Sequence, residues 1–582
     1  MQTNMSKIKH FGDKILQNTL DYFTKNNITF LMPAFYPQRG GVLVDAANNG
    51  AKVVIAGGQK GQQIFKGIPQ YGLASGTTGI EETQEGLNNI VSQFPKDISG
   101  KVAVFSEAPL GYNAWGKSVE NHLGNVDIVA TNEQSLRLYF EEKVNLTAIL
   151  KKAGLEKHII PSQIVNFPMS KEDIIYTYNN LKNKDGKVVV QSCGQGVNES
   201  GGGYTTAIIS SLTEFAKYCQ SGNVQVAKVA KFIDGYNSNL SFCTGNLVPS
   251  PTMLGAAKTN LTESDPLYSP ETIDLLIQRA EQMGINKDTV FNVVVPSTLK
   301  VVGDPNLTPN PTSGVGNMIN YHFDNETSQQ IYDIGNKLGT LLALCGKVGL
   351  AGADLIITKE GEIYINEIND RQQGTTEKTS LHCEKNGIPG IHHISFLQNY
   401  ANLNNGAVQL YMQMLKENQH EIFEATRSTS SPFYIKVVGK EDVVAQTSLS
   451  SGKYMACKND DNSQWTWHLG TNLETEESFI NLEDGQVIAD ITDADIIKGQ
   501  SIHKGEHILR INGEVIEDSE NPFLINADGQ SVLNTSWIEP ISALYSQLTV
   551  PVEVKSIALK DASMALTDSA TAAAPITEIV QE

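Results

Sequence analysis

The sequence predicts an α/β and α+β protein, with an N-terminal parallel α/β unit, a larger central domain and a smaller β-rich C-terminal unit. Apolar runs alternate with helical patterns from residue 28 to about 141, the order that produces a parallel sheet. A glycine-rich segment and a polar hairpin follow within 142–404. Short β-prone runs separated by turn signals then occupy 405–558, which is typical of a β-rich unit.

The bulk composition is that of a globular protein with several domains. The chain has 582 residues, of which 40% are hydrophobic and 19% charged, and roughly 100 to 200 residues per domain predicts three or four units. The 64 acidic and 44 basic side chains leave a net charge of −20. Such a surface repels nucleic acid and anionic lipid, so neither is expected as a partner. Any anion site must therefore be local.

The sequence also bears on the compartment. Six widely spaced cysteines with no C-x-x-C pair favour reduced, buried thiols over a zinc cluster or a disulfide framework. The first 27 residues do not resemble a secretory signal, and no run approaches the roughly 20 apolar residues of a membrane span. We expect a cytoplasmic protein. A mobile tail is expected at 559–582, a segment without aromatic residues.

The N-terminal unit is predicted to contain four parallel strands. The apolar runs that predict them lie at 28–32, 52–56, 101–105 and 126–130. Arg39-Gly40-Gly41 follows the first run and is a weak candidate for a phosphate-binding turn, because the full G-x-G-x-x-G pattern is absent. The next unit is predicted to begin with a short amphipathic helix at 143–153, ended by Gly154 as a C-cap.

The clearest chemical pattern is a hairpin within 352–376, which contains D-L-I-I-T-K-E-G-E-I-Y-I-N-E-I-N-D-R. The predicted strands are 354–357 and 362–369, joined by a turn at 359–361. Strict alternation along the second strand places four side chains on one face: Ile363, Ile365, Glu367 and Asn369.

Pairing across this hairpin would bring Asp354 close to Glu367 and Asn369. Two carboxylates and an amide oxygen are hard ligands that suit Mg²⁺ holding nucleotide phosphates. Arg371 would place a planar set of donors beside the metal, where it can stabilise charge on a carboxylate or phosphoryl oxygen. The alternative is a solvated hairpin whose charges face water.

A glycine-rich segment lies upstream, K-V-V-V-Q-S-C-G-Q-G-V-N-E-S-G-G-G-Y-T-T at 187–206. It predicts a strand, a loop with Gly201, Gly202 and Gly203, and a helix at 207–218. Glycines allow backbone N–H groups to approach phosphate oxygens. No lysine follows them, so the segment is not a Walker A loop, and an ordinary turn remains open.

A third segment, V-A-K-V-A-K-F-I-D-G-Y-N-S-N-L-S at 226–241, predicts two strands joined by an Asp-Gly turn. The end of the first strand, at Phe232-Ile233, is a candidate for the backbone edge on which adenine rests. A plain sheet is an equally good interpretation.

These segments, in this order, resemble the ATP-grasp superfamily, which includes biotin carboxylase. The segment E-K-V-N-L-T-A-I-L-K-K-A-G-L at 142–155 is similar to the opening of that family's nucleotide domain, and E-I-N-D-R to its metal-binding signature. The motif is closest to ATP-grasp peptide ligases of the pheganomycin type. The resemblance covers roughly 28–400.

The resemblance implies the domain order and the site residues. It implies a pre-ATP-grasp domain at 1–141 and an ATP-grasp domain at 142–404 with a lid at about 187–245, before the β-rich unit at 405–558. The cofactors implied are ATP and Mg²⁺ or Mn²⁺. The implied roles are metal binding by Asp354, Glu367 and Asn369, nucleotide contacts by Lys143, Lys231, Phe232 and Ile233, phosphate closure by Gly201, Gly202 and Gly203, and contact with the reacting carboxylate or acyl-phosphate by Arg371.

Two positions depart from the family's pattern. Gln191 stands where a phosphate-binding lysine is usual, and Ala230 where an acidic residue often precedes the hinge lysine. A neutral amide can hydrogen-bond a phosphate but cannot neutralise it. Phosphate binding must then depend on Lys143, on the metal or on a lysine from elsewhere.

The function predicted is an ATP-dependent carboxylate–amine ligase that acts through an acyl-phosphate on small molecules, with amino acids or peptides as the expected substrates. A homodimer is left open. Two alternatives remain: a bicarbonate-dependent carboxylase, and a degenerate module that binds ATP without turnover. His382 and the pair His392-His393 are further candidates for a substrate pocket, with structural histidines as the alternative.

Overall fold

The structure is a computed structural model. It describes residues 2–33, 41–59, 67–73, 84–94, 98, 100–104, 122, 126–130, 139–193, 206–220, 225–248, 269–400, 406–459, 464–470, 473, 479–482, 484–515 and 521–551. Within these ranges, no helix combines the length and the apolar character that crossing a bilayer requires.

The N-terminal unit is a five-stranded parallel sheet in the order β3-β2-β1-β4-β5. The four predicted strands are confirmed, and Gln70–Leu73 is a fifth that the sequence analysis missed. The elements are α1 (Gln2–Lys25), β1 (Thr29–Pro33), α2 (Gly41–Asn48), β2 (Lys52–Gln59), β3 (Gln70–Leu73), α3 (Gln84–Val91), β4 (Gly100–Val104) and β5 (Val126–Ala130). Arg39 and Gly40 of the candidate phosphate turn lie outside the described residues.

A four-stranded antiparallel sheet follows, in the order β6-β9-β7-β8. We call it the lid sheet. Its elements are α4 (Leu146–Lys152), β6 (Ser162–Asn166), α5 (Lys171–Leu181), β7 (Val188–Ser192), β8 (Thr206–Ile209), α6 (Leu212–Gln220) and β9 (Val226–Lys231). The helix predicted from residue 207 is wrong at its start, because residues up to Ile209 pair with β7 as a strand.

The third sheet is the largest, and its ordered path is β15-β14-β10-β12-β13-β16-β23-β21-β18-β19. Its central part contains β10 (Tyr236–Asn246), α7 (Thr272–Gln282), β11 (Val290–Val294), β12 (Thr298–Val302), β13 (Gly314–Met318), α8 (Asn325–Leu344), β14 (Gly349–Ile357) and β15 (Ile363–Asn369). Helix α8 packs so closely on this sheet that a side chain at Gly339 would collide with Asn292.

Four helices connect this part to the C-terminal unit: α9 (Thr376–Lys385), α10 (Ile391–Tyr400), α11 (Ala407–Glu417) and α12 (Gln419–Arg427). The remaining elements are β16 (Ser431–Val438), β17 (Val443–Ala445), β18 (Leu449–Lys458), β19 (Trp465–Trp467), β20 (Phe479–Asn481), β21 (Gln486–Ile496), β22 (Ser501–Ile502), β23 (His507–Val515), β24 (Phe523–Ile525), β25 (Ser531–Leu533), α13 (Ile538–Leu548) and β26 (Thr549–Pro551). Because β16 pairs with β13, the C-terminal strands continue the central sheet.

Buried side chains join the units. The aromatic rings of Phe23 and Phe30 stack with their centroids 4.7 Å apart, and Phe396 of α10 packs on both. The N-terminal unit therefore rests on the helices that follow the central hairpin. The predicted fold class, a parallel α/β unit followed by α+β and β-rich parts, is confirmed.

Candidate active site

The candidate site is built on the β14–β15 hairpin. Asp354 lies directly opposite Glu367, and the register shifts by one residue next to this pair, leaving Asn366 as the extra residue of a β-bulge. Ile363 and Ile365 before the bulge, and Ile368 after it, all enter one hydrophobic core. The predicted alternation is wrong in this respect, because the bulge turns Glu367 and Asn369 to the face opposite these isoleucines.

Asp354 is held by cationic and amide donors. Lys300 of β12 forms an ion pair with its Oδ2 at 2.7 Å. Its Oδ1 accepts hydrogen bonds from Asn239, from Asn369 at 3.3 Å and from Gln373 at 3.2 Å. Burial raises the pKa of Asp354; the charge of Lys300 opposes this shift and that of Glu367 adds to it.

Glu367 lies in a strongly positive environment. Burial alone would raise its pKa, but four cations outweigh burial and hold the pKa below its ordinary value: Lys143, Lys300, Arg371 and Lys228. These cations come from four separate segments: the turn before α4, strand β12, the end of the hairpin and strand β9 of the lid sheet. The fold therefore concentrates positive charge at one carboxylate pair in a chain whose net charge is −20.

Arg371 is positioned by two partners. Its Nε lies 3.0 Å from Oε1 of Glu141, and its Nη2 donates to Oδ1 of Asn369 at 3.0 Å. The side chain is partly exposed, so its guanidinium remains accessible from the site. Glu141 thus orients the predicted catalytic cation.

A buried ion pair anchors the backbone beside these residues. Lys347, in the turn before β14, lies 2.8 Å from Oδ1 of Asp370, and the two side chains are 5% and 1% exposed. Lys347 also donates to the carbonyl of Asp370 at 3.2 Å. Because Asp370 lies between Asn369 and Arg371, this pair fixes the segment that carries both predicted site residues.

The lid sheet contributes a lysine that the sequence analysis did not single out. Gln191 on β7 lies directly opposite Lys228 on β9, and both side chains are buried, 4% and 2% exposed. Lys228 donates to the carbonyl of Asn366, the bulged residue, at 3.4 Å. Gln191 Oε1 has no hydrogen-bond partner within the part of the chain that the structure describes. The ammonium of Lys228 therefore places a positive charge on the strand next to Gln191, whose own side chain is neutral.

The other predicted nucleotide contacts have varied surroundings. Lys143 is partly exposed in the turn before α4. Lys231 is exposed at the end of β9, followed by the partly buried Phe232 and Ile233. The ammonium of Lys187 lies over the ring of Phe232, 5.1 Å from its centroid. Gly201, Gly202 and Gly203 lie outside the described residues.

The donor set at the hairpin fits a hard divalent cation. Asp354 and Glu367 lie side by side with Asn369 adjacent, and the side chain of Asp354 is 14% exposed. Mg²⁺ prefers such oxygens and completes its octahedron with water and phosphate oxygens. Across the described ranges, no cluster of three or more His, Cys, Asp or Glu side chains has the arrangement of an all-protein metal site. Two carboxylates alone would therefore need phosphate to hold the ion.

The candidate histidines differ in their environments. Nε2 of His382 lies 2.7 Å from the hydroxyl of Thr429, and its ring lies near Glu514, so His382 joins α9 to the C-terminal unit. His392 is 3% exposed, and neither of its ring nitrogens has a hydrogen-bond partner within the described ranges. Burial lowers the pKa of His392 to about 3, which keeps the ring neutral.

Only some of the additional site residues could have been identified from the sequence. Gln373 lies two residues beyond Arg371, and Glu141 lies two before Lys143, so proximity to a motif could have suggested both. Lys228, Lys300 and Asn239 lie in ordinary strand segments. Their positions depend on pairing between strands that are distant in sequence, which no local pattern reveals.

Among known proteins, the chain is similar only to solved structures. No protein-family model and no curated protein matches the chain. An N5-carboxyaminoimidazole ribonucleotide synthetase bound to ADP has a TM-score of 0.45 and 11% identity, over 85% of this chain and 94% of that one. An L-amino acid ligase from Bacillus licheniformis has a TM-score of 0.45 and 13% identity, over 85% and 95%.

A third structure is the biotin carboxylase domain of the Hydrogenobacter thermophilus 2-oxoglutarate carboxylase, in complex with MgADP, ADP and bicarbonate. Its TM-score is 0.46 at 9% identity, over 84% of this chain and 86% of that one. At such identities and TM-scores, none of the three indicates a substrate or a reaction for this chain.

Proposed function

We propose that this protein is an ATP-dependent ligase of the ATP-grasp type, which joins a carboxylate to an amine through an acyl-phosphate and releases ADP and phosphate. One observation carries the proposal: the Asp354–Glu367 pair is surrounded by Lys143, Lys228, Lys300 and Arg371. Carboxylates are needed to hold the metal, and positively charged side chains are needed to neutralise the triphosphate. Both kinds of side chain lie together at this pair.

The proposed roles follow from the positions of the side chains. Asp354, Glu367 and Asn369 would hold Mg²⁺, which neutralises phosphate charge when bound. Lys143 would contact the nucleotide from the start of the domain. Lys228 would supply, from β9, the phosphate cation that Gln191 cannot supply from β7. Phosphoryl transfer demands mainly positioning and charge neutralisation, and these are what the fixed side chains provide.

Arg371 would act on the reacting carboxylate. Glu141 and Asn369 hold its guanidinium in one orientation, so the cation needs little rearrangement when charge develops on the acyl-phosphate. In the proposed reaction, a carboxylate oxygen attacks the γ-phosphorus and ADP leaves. The amine then attacks the acyl carbon, phosphate leaves with the bonding electrons, and the amine loses a proton.

The presence of Lys228 weakens the case for a degenerate module. That alternative depended on the missing charge at Gln191, and the structure has a lysine on the neighbouring strand, facing Gln191. The carboxylase alternative gains no support from any residue described.

A substrate screen tests the reaction class. Purified protein with Mg-ATP is offered amino acids singly and in pairs, with bicarbonate supplied or removed, while ADP, AMP and new masses are followed. We expect ADP and a product mass equal to acid plus amine minus water. AMP formation would exclude the mechanism, strict dependence on bicarbonate would favour a carboxylase, and ATP binding without turnover would favour a degenerate module.

A further inference from the structure

The side-chain amide of Gln373 joins the proposed metal pair to strand β10. Its Nε2 donates a hydrogen bond to Oδ1 of Asp354 at 3.2 Å, and its Oε1 accepts one from the hydroxyl of Ser241 at 2.9 Å. Gln373 and Ser241 are each only 4% exposed. Ser241 is therefore linked to Asp354 through one buried side chain.

The hydrogen-bond partners of this amide allow only one orientation. An ionised carboxylate can only accept, so the NH2 group of Gln373 must face Asp354. On the other side, the backbone N–H of Gln373 donates to Oγ1 of Thr376 at 2.9 Å. The hydroxyl proton of Thr376 is then directed to Ser241 Oγ, 3.4 Å away, and Ser241 gives its own proton to Gln373 Oε1. The amide oxygen therefore faces Ser241.

A glycine provides the space for this amide. Gly352 lies on β14 directly opposite Ser241, two residues before Asp354. A Cβ atom at Gly352 would lie 2.1 Å from Gln373 Oε1 and 2.4 Å from the carbonyl oxygen of Leu240, closer than non-bonded carbon and oxygen atoms approach. The amide of Gln373 thus packs directly on the backbone of the strand that carries Asp354.

Loss of the Ser241 hydroxyl would remove the constraint on this amide. Gln373 could then rotate and present its oxygen to the Asp354 carboxylate, and two acceptors at hydrogen-bond distance repel each other. Asp354 would keep its other neighbours, which are Lys300, Asn239, Asn369 and the negatively charged Glu367. The expected result is a carboxylate that has turned, and not one that has lost all its partners.

We propose that Ser241 is a positioning residue of the active site, which acts through the amide of Gln373 to hold the Asp354 carboxylate in the orientation that binds the metal. This inference rests on the proposed function, because it concerns the same metal pair. Ser241 and Gln373 are 132 residues apart, so no local pattern of the sequence marks Ser241 as part of the site.

Metal binding tests the inference separately from turnover. Full-length protein with saturating ADP is titrated with Mn²⁺, and free Mn²⁺ is followed by its electron paramagnetic resonance signal. Hydrogen-bond partners of metal ligands typically contribute roughly 10- to 100-fold to metal affinity or activity. Gln373→Met should weaken Mn²⁺ binding within this range, and Ser241→Ala by roughly tenfold, because it acts one residue further from the metal.

Ser238→Ala is the matched control, because it makes the same change on the same strand. Ser238 is fully buried, and its hydroxyl has no hydrogen-bond partner within the described ranges. It lies between Leu299 and Leu355, which belong to the hydrophobic core, so Ser238→Ala should leave Mn²⁺ affinity unchanged. If Ser241→Ala does not fold, Ser241→Cys replaces it, since a thiol is similar in size and only a weak donor.

A double-mutant cycle assigns the effect to the amide. If Ser241 acts only through Gln373, Ser241→Ala should cause no further loss of Mn²⁺ affinity in the Gln373→Met background. In turnover, Ser241→Ala should raise the Mg²⁺ concentration needed for half-maximal ADP formation by a similar factor. A merely structural role would instead lower the denaturant midpoint and leave the Mn²⁺ affinity of the folded protein unchanged.

Equal Mn²⁺ affinity in Ser241→Ala and wild type, equal losses in Ser241→Ala and Ser238→Ala, or additive losses in the double variant would overturn the inference. Wild type that binds no Mn²⁺ with ADP would remove it together with the metal site.

Failure of the proposed function alone gives a different result. The Mn²⁺ affinities would then follow the expected pattern, but wild type would form no ADP with any acid and amine offered. Conversely, an enzyme that joins acid and amine, and whose Mn²⁺ affinity is unchanged in Ser241→Ala, would leave the proposed function standing and remove the role of Ser241.

Discussion

Lys228 and Gln191 lie directly opposite each other on neighbouring strands of the lid sheet, both buried, and Lys228 reaches the carbonyl of the bulged Asn366. The positive charge that the resemblance led us to expect at position 191 is therefore present one strand away. In an antiparallel pair, such positions are only about 4.5 to 5.5 Å apart between Cβ atoms. A lysine on β9 instead of β7 thus still places a positive charge next to Glu367.

Transposing the lysine tests this relationship. Lys228→Gln should weaken ATP binding by roughly 10- to 100-fold, because a hydrogen bond to a charged group contributes about 1.5 to 3 kcal/mol. Gln191→Lys added to Lys228→Gln should recover a large part of the loss. ATP binding is measured by calorimetry, with the exposed lid lysine Lys217→Gln as the control. Equal ATP affinity in Lys228→Gln and wild type would remove Lys228 from the site.

Glu367→Gln should abolish Mg-dependent ADP formation while leaving the fold intact. The carboxylate neutralises charge at the surface of the site, whereas the isoleucines beside it fill the core. ADP release is followed at several Mg²⁺ concentrations, and circular dichroism reports folding. Glu360→Gln, in the exposed turn of the same hairpin, is the matched control. Unchanged ADP formation in Glu367→Gln would contradict the metal assignment.

Arg371→Ala should lower turnover by roughly 10² to 10³, as expected for a preorganised cation at a developing oxyanion. Arg371→Lys should be intermediate, because lysine keeps the charge but cannot contact Glu141 and Asn369 with one planar group. Arg427→Ala serves as the control, since its guanidinium pairs with Glu424 within α12. A loss below about threefold in Arg371→Ala would mark it as a surface residue.

Asp370→Asn should destabilise the protein by about 3 to 5 kcal/mol, because it leaves the buried ammonium of Lys347 without its counter-charge. Replacing both residues, as Lys347→Met with Asp370→Leu, should recover most of this loss. Denaturant unfolding measures the difference. Asp274→Asn, which removes an exposed ion pair with Lys152, should cost less than about 1 kcal/mol. Similar losses of unfolding free energy in Asp370→Asn and Asp274→Asn would contradict the anchoring role of the Lys347–Asp370 pair.

The burial of His392 should make the stability of the protein depend on pH. Burial lowers its folded-state pKa to about 3, below the unfolded value of about 6.5, so the unfolded chain binds the proton first. Stability should therefore be complete above pH 6.5 and be lost progressively as the pH falls toward 3. Melting temperatures between pH 7 and 4 should fall less steeply for His392→Phe than for wild type. His10→Phe, at an exposed position of α1, should follow wild type.

Because of the bulge at Asn366, the alternation pattern predicted only part of the site correctly. Period-2 alternation correctly placed Glu367 and Asn369 together, because they are two residues apart beyond the bulge. It wrongly grouped them with Ile363 and Ile365, because the extra residue reverses the phase of the strand. A bulge is chosen by the partner strand and by the packing around it, and the sequence of β15 alone contains neither.

The amino-acid sequence by itself determined the parallel N-terminal sheet, the polar hairpin and the E-I-N-D-R segment, because these depend on local periodicity, turn residues and side-chain chemistry. The tertiary structure alone decided that Lys228 faces Gln191, that Lys300 pairs with Asp354, and that the C-terminal strands extend the central sheet through β13 and β16. Each of these contacts joins segments that are tens to more than a hundred residues apart. Strand order and register at such separations are set by the competition among all packings of the chain, which no window of sequence expresses.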